Sequence, residues 1–200
     1  MSRGGDTLEL VGREDELRVL AEVADALAAG TSRIVLIEGA SGTGKSSLLS
    51  ELRGLASDRG VRVAGAAAIE LDRDIPFGVV GRIVGADGRE VGSRRSLAAL
   101  AEGGLASVHA MVGAATELIG DGGLLVWLDD AQWADDQSLR VIATLAGLSR
   151  ELPLTIAVSW RRAELPDHHL RALPGLEHSL RLTLGDLDRE RSRELVGGLI

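Results

Sequence analysis

Gly39-Ala40-Ser41-Gly42-Thr43-Gly44-Lys45-Ser46 fills every fixed position of the pattern G-x-x-x-x-G-K-[ST], and the next residue is Ser47. Glycines allow successive backbone N–H groups to turn inward. A helix beginning where the loop ends adds the positive end of its dipole, so the loop can hold an anion of phosphate size. Lys45 would reach β- and γ-phosphates as a point charge, and the Ser46 hydroxyl would ligate Mg²⁺. Every other basic side chain in the chain is arginine, so Lys45 is its only lysine. The bland alternative is a glycine-rich turn carrying an exposed lysine.

A second group of chemically useful residues follows the apolar run Leu124-Leu-Val-Trp-Leu128, which ends in Asp129-Asp130. A buried strand there would bring both carboxylates to the carboxyl edge of a parallel sheet, where the phosphate loop also belongs. Asp129 is then placed to hold the Mg²⁺ shell through water. Asp130 is the better group to polarise an attacking water, because a metal-bound carboxylate accepts protons poorly. Arg161 and Arg162 follow another strand-like run and could sense a γ-phosphate by charge-assisted hydrogen bonding, with Arg161 the favoured one. Adjacent His168-His169 lack the i, i+4 spacing of helical metal ligands. Trp127, Trp133 and Trp160 are read as packing residues rather than base-stacking ones.

These residues need elements to position them. Leu17, Leu20, Ala21, Ala24, Leu27 and Ala28 recur at helical spacing, predicting a helix from about Glu14 to Ala29. Arg33 to Glu38 is a short apolar run typical of a strand buried on both faces. A helix through Leu48 to Ala56 and a strand from Val61 to Ile69 come next. From Asp72 to Ser96 the pattern weakens into turns and a polar loop holding Arg89, Arg94 and Arg95, read as a solvated face. A helix from about Leu97 to Ile119 leads to the strand before Asp129. Another helix passes through Leu139 to Ala146, with Asp135 or Asp136 placed to cap it. Pro153 to Ser159 and the alternating Leu180, Leu182 and Leu184 complete five strands. Strands alternating with helices predict an α/β fold with a parallel sheet covered on both faces.

Composition narrows the function. The 200 residues are 45% hydrophobic and 26% charged, which excludes disordered and collagen-like chains and allows one sizeable core. Lys+Arg 22 against Asp+Glu 30 leaves a net charge of -8, so the surface repels a phosphate polymer and direct DNA binding by this chain is not expected. With Cys 0 there is no disulfide or thiolate metal site, which fits a reducing cytoplasm. The first residues lack the apolar segment of a signal peptide, and Gly103 to Gly120 reads as a small-residue helix rather than a membrane span.

The chain resembles the ATPase domain of the AAA/STAND class, as found in large ATP-binding LuxR-type transcriptional regulators. The resemblance rests on Leu10-Val-Gly-Arg-Glu14, on Gly39 to Ser46, on Leu125-Val-Trp-Leu-Asp-Asp-Ala-Gln-Trp-Ala-Asp135 with Ser138-Leu139, and on Ser159-Trp-Arg161. The phosphate loop is shared by many ATPases, whereas the Asp-Asp-x-Gln-Trp-x-Asp run is far more restricted. The resemblance implies a P-loop NTPase three-layer sandwich with a five-stranded, mainly parallel sheet. Residues 1–187 would form the ATP-binding domain and residues 188–200 the start of a truncated helical lid. It implies that Val11, Gly12 and Arg13 lie near the adenine, that Lys45 and Ser46 meet phosphates and magnesium, and that Asp129 and Asp130 form the catalytic edge. Arg161 would be the first sensor. ATP would act as a switch, slowly hydrolysed, with nucleotide state governing opening and self-association and a DNA-binding module outside these residues. Two other readings stand beside this: a non-catalytic nucleotide-binding or interaction module, and a small-molecule kinase on the same scaffold.

Overall fold

In the computed structural model, residues 12–85, 104–119, 121–161 and 179–185 are described. Five parallel strands form one sheet: β1 (Ile34–Gly39), β2 (Arg62–Ala67), β3 (Leu124–Asp129), β4 (Leu154–Trp160) and β5 (Ser179–Leu184). Their spatial order is β2-β3-β4-β1-β5. The helices are α1 (Glu14–Ala28), α2 (Lys45–Asp58), α3 (Gly78–Gly85), α4 (Gly104–Thr116) and α5 (Asp136–Leu148).

Continuous apolar runs become central strands because both faces of the sheet are covered. Side chains alternate along β1. Ile34 and Leu36 join one core with α3, α4 and α5 through Ile83, Met111 and Leu145. Val35 and Ile37 join the other core with α1 and α2 through Leu20, Leu48 and Leu52. The expected three-layer α/β architecture is therefore present.

The register sets which residues share the carboxyl edge. Leu36 of β1 and Leu128 of β3 both lie opposite Val158 of β4. The loop after β1 and the acids after Leu128 consequently emerge on the same side of the sheet. β1 and β3 are two strand spacings apart, roughly 10 Å.

Glycine makes one of these pairings possible. Gly65 of β2 lies opposite Trp127 of β3, and a Cβ on Gly65 would stand 2.3 Å from the tryptophan ring. The indole covers the glycine, and the Arg53 guanidinium from α2 stacks on it at 4.0 Å from the ring centroid. Trp160 is buried in the core, so these two tryptophans have the packing roles expected.

Two expectations need correction. The second strand stops at Ala67 rather than Ile69, because the Asp72 carboxylate folds back to accept the Ile69 N–H at 2.7 Å and starts a 3-10 turn over Glu70–Asp74. The region read as turns and polar loop contains α3, whose buried Val79, Val80, Ile83 and Val84 form one helical face. Gly78, Gly81 and Gly85 hid that periodicity, since glycine is the commonest turn signal. Residues 86–103, including Arg89, Arg94 and Arg95 and the first turns of the helix expected from Leu97, lie outside the described residues, as do residues 188–200.

Candidate functional site

The glycine-rich loop joins β1 to α2. Gly44 is the N-cap of α2 at φ 87, and Gly42 has φ 78, both in the left-handed region where a side chain is strained. Gly39 is required for a different reason. A Cβ there would lie 2.6 Å from Thr43 Oγ1 and 2.9 Å from the Leu184 carbonyl oxygen. Thr43 Oγ1 donates to the Ala40 carbonyl at 3.0 Å, and Lys45 Nζ donates to the same oxygen at 2.7 Å. The ammonium is buried and turned into the loop. Ala40, Ser41, Gly42 and Ser46 are exposed, and Ser47 is half-buried.

Arg13 braces this loop from the side. One of its amino groups donates to the Gly185 carbonyl at 2.9 Å and lies 3.4 Å from the Thr43 carbonyl, while the other pairs with Glu16 at 3.0 Å. Gly12 has φ 79, and its N–H donates to Glu14 Oε1 at 3.1 Å. The start of α1, the loop and the end of β5 are thus fastened together. Val11 lies outside the described residues, as do Arg162, His168 and His169.

On the far side of β4, the Asp129 carboxylate is buried at the end of β3 and accepts hydrogen bonds from the Ser159 hydroxyl and the Asp130 N–H. Ser159 Oγ also accepts from the Asp130 N–H at 3.1 Å. These contacts hold the turn at Asp130, whose backbone is left-handed at φ 51 and ψ 49. Aspartate tolerates that conformation better than most residues. Asp130 Oδ1 accepts from Gln132 Nε2 at 2.8 Å and lies 3.9 Å from Arg161 Nε. The Arg161 N–H donates to Gln132 Oε1 at 3.1 Å. Asp130 and Arg161 are therefore brought together, and Gln132 bridges them.

A second layer supports this edge. Asp135 caps α5 by accepting the Ser138 N–H at 2.9 Å and the Ser138 hydroxyl at 2.6 Å, and it also takes the Phe77 N–H at 2.8 Å. Phe77 is held at φ 61, a conformation rare for a bulky residue. Arg73 donates to the Gln132 carbonyl from Nε and Nη2 at 3.2 and 3.1 Å, and its guanidinium stacks on Trp133 at 4.3 Å from the ring centroid. Next to it, Arg82 grips the buried Asp72 through two hydrogen bonds of 2.6 and 2.7 Å. The Arg82 guanidinium holds the Asp72 carboxyl below the usual carboxylate range, and Asp72 in turn raises Arg82.

Sequence reasoning missed Gln132 and Arg73 as parts of the site and gave Ser159 no role. Gln132 sits inside the restricted run after β3, which was its available signal. Arg73 reaches across 59 positions, and nothing local marks it. Among the described residues there is no cluster of three or more His, Cys, Asp or Glu side chains arranged to hold a metal by themselves. No helix among them is long and apolar enough to cross a membrane.

Comparison with solved structures places the fold. Orc1 from Aeropyrum pernix, solved in complex with DNA, superposes with a TM-score of 0.59 at 21% identity, covering 94% of this chain and 48% of that one. AMPPCP-bound DnaA from Aquifex aeolicus gives a TM-score of 0.54 at 17% identity over 91% of this chain and 48% of that one. A RuvB mutant from Thermotoga maritima gives 0.55 at 15% identity, covering 94% and 50%. The chain spans about half the length of each. No curated protein sequence matches it. Residues 9–158 match the AAA ATPase domain family, so the chain carrying this loop and acidic edge belongs to that family.

Proposed function

We propose that this domain is an ATP-driven switch that binds Mg-ATP, hydrolyses it slowly, and serves as the nucleotide-binding part of a LuxR-type, signal-dependent transcriptional regulator in the cytoplasm. One observation carries the reading: a buried lysine inside a glycine-braced loop shares a sheet edge with a buried carboxylate and a second acid held beside an arginine.

The residues fit a magnesium-bound triphosphate. Gly39 leaves no space for a Cβ between Thr43 and Leu184, so the loop closes tightly around its backbone N–H groups. Ser46 exposes a hydroxyl, and Asp129 offers a carboxylate already oriented by Ser159. Both are hard oxygen donors of the kind magnesium takes. When bound, the cation neutralises charge on the phosphates. Lys45 exchanges its bond to Ala40 for phosphate oxygens, and the loop N–H groups fix their orientation. Asp130 orients a water and accepts its proton, while Arg161 offers a guanidinium to the charge developing on the transferred group. Gly12 and Arg13 line the approach to the base.

The regulator reading rests on the Asp-Asp-x-Gln-Trp-x-Asp run, and it entails self-association controlled by nucleotide state. Calorimetry of Mg-ATP binding, phosphate release and sedimentation velocity with ATP or ADP test it together. Binding, slow release and nucleotide-dependent association are expected. Binding without release favours the non-catalytic module. A phosphorylated acceptor in place of free phosphate favours the kinase.

A further inference from the structure

Among the described residues, three of the four strongly exposed large apolar side chains fall in one short stretch: Ile69 at 54%, Leu71 at 75% and Ile75 at 52%. Single exposed apolar residues are ordinary on a protein surface, whereas a group of them marks a place where something docks. The stretch follows β2, which ends the sheet order on its side. It is therefore open to a partner.

The exposure is built into the fold and is not that of a fraying turn. The buried Asp72 carboxylate takes the Ile69 N–H at 2.7 Å and is gripped by Arg82, while the Asp72 carbonyl accepts the Ile75 N–H at 3.1 Å. Arg73 fastens the turn to the Gln132 carbonyl and the Trp133 ring, and Asp135 takes the Phe77 N–H just beyond Ile75. These anchors hold the three apolar side chains in water, where each forgoes the stabilisation that burial would give.

Charge selects what can cover them. Glu70 and Asp74 are exposed, and neither carboxylate has a hydrogen bond or ion pair among the described residues. The nearest arginines along the chain are engaged in anchoring, Arg82 on Asp72 and Arg73 on Gln132 and Trp133. Two uncompensated acids thus flank the apolar group, on a chain of net charge -8. Nucleic acid and anionic lipid are repelled. A second copy meeting the same face about a two-fold axis would set acid against acid. A peptide with apolar side chains and flanking Lys or Arg matches both features.

We propose that Ile69, Leu71 and Ile75, flanked by Glu70 and Asp74, form a docking surface for a basic amphipathic segment of a partner protein. Leu71 is the anchor, and the two acids choose the partner by charge. The surface needs no hydrolysis, so it stands apart from the switch reading.

The test uses the full chain, a fluorescent peptide of leucines and lysines at helical spacing, and a twin with glutamate in place of each lysine. Fluorescence anisotropy measures binding of both, and thermal melting checks the variants. The leucine–lysine peptide is expected to bind at least about 10-fold tighter than its twin and to weaken as salt rises. Leu71→Ser is expected to weaken it about 10-fold with melting unchanged, because an exposed side chain supports no core. Glu70→Gln combined with Asp74→Asn is expected to weaken it roughly 3- to 10-fold and to flatten the salt dependence. No binding of the leucine–lysine peptide, equal binding of the twin, or unchanged binding by Leu71→Ser each overturns the proposal. Sedimentation velocity of the chain alone, with phosphatidylserine vesicles and with duplex DNA tests the other occupants. Self-association, vesicle binding or DNA binding that disappears in Leu71→Ser overturns the proposal by giving the face to a second copy, a membrane or a nucleic acid.

Discussion

Lys45 Nζ lies 2.7 Å from the carbonyl oxygen of Ala40, so the ammonium is already inside the loop that is to receive phosphate. Binding needs no long side-chain journey. Lys45→Ala removes the charge from the loop and should weaken Mg-ATP binding by roughly 10- to 100-fold, the value of one to two charge-assisted hydrogen bonds. Calorimetry checks this. Lys45→Arg should rescue little, because a planar fork cannot replace a compact point charge in a closed loop.

Asp130→Asn keeps the size and the left-handed turn but loses the carboxylate proposed to accept the proton. Turnover should fall by about 100-fold or more while Mg-ATP affinity stays within about twofold. Undiminished phosphate release in this variant would remove Asp130 as the base.

Gly39→Ala and Gly54→Ala should move stability in opposite directions. The first places a methyl 2.6 Å from Thr43 Oγ1 and 2.9 Å from a backbone oxygen of β5, costing about 1–3 kcal/mol and loosening the nucleotide grip. Gly54 lies on the exposed side of α2 with nothing within 4 Å of an added Cβ. Alanine there should stabilise by roughly 0.5–1 kcal/mol. Urea denaturation of both variants measures the contrast.

The pair Asp72 and Arg82 makes stability depend on pH. Asp72 is depressed in the folded state, first by its hydrogen bonds to Arg82. Its contribution is therefore full above the unfolded carboxylate value of about 4 and is lost as pH falls through the lower folded value. Arg82 is about half exposed, so solvent screening limits the effect. Arg82→Ala should cost about 1–2 kcal/mol at pH 7, much of it from leaving Asp72 buried without its partner. The gap from wild type should narrow as Asp72 is protonated. Denaturant midpoints at neutral and acid pH give both numbers.

What was legible in the residues was whatever is local. The phosphate loop is a contiguous pattern, and β1, β3 and β4 are contiguous apolar runs, so their identities and common edge followed directly. The cap of α5 was legible to within one residue for the same reason, Asp135 and Asp136 both standing at the start of a helical period, and the hydrogen bond from the Ser138 N–H singles out Asp135. Gln132 was visible as a letter in a restricted run, but the backbone N–H its side chain accepts from is that of Arg161, 29 positions away. Arg73 was invisible, because an arginine in a polar turn is ordinarily solvated. α3 was hidden by its own glycines, which tertiary packing of Val79, Val80, Ile83 and Val84 overrides.

The sheet order has a consequence for synthesis. β1 pairs only with β4 and β5 among the described strands, so the strand leading into the phosphate loop finds its first neighbour at Leu154. Arg13 finds the Gly185 carbonyl 172 positions after itself. A ribosome has therefore made nearly all of these residues before the loop can be clasped, and the nascent chain should acquire its hold on nucleotide late and abruptly, well after the motif itself has been translated.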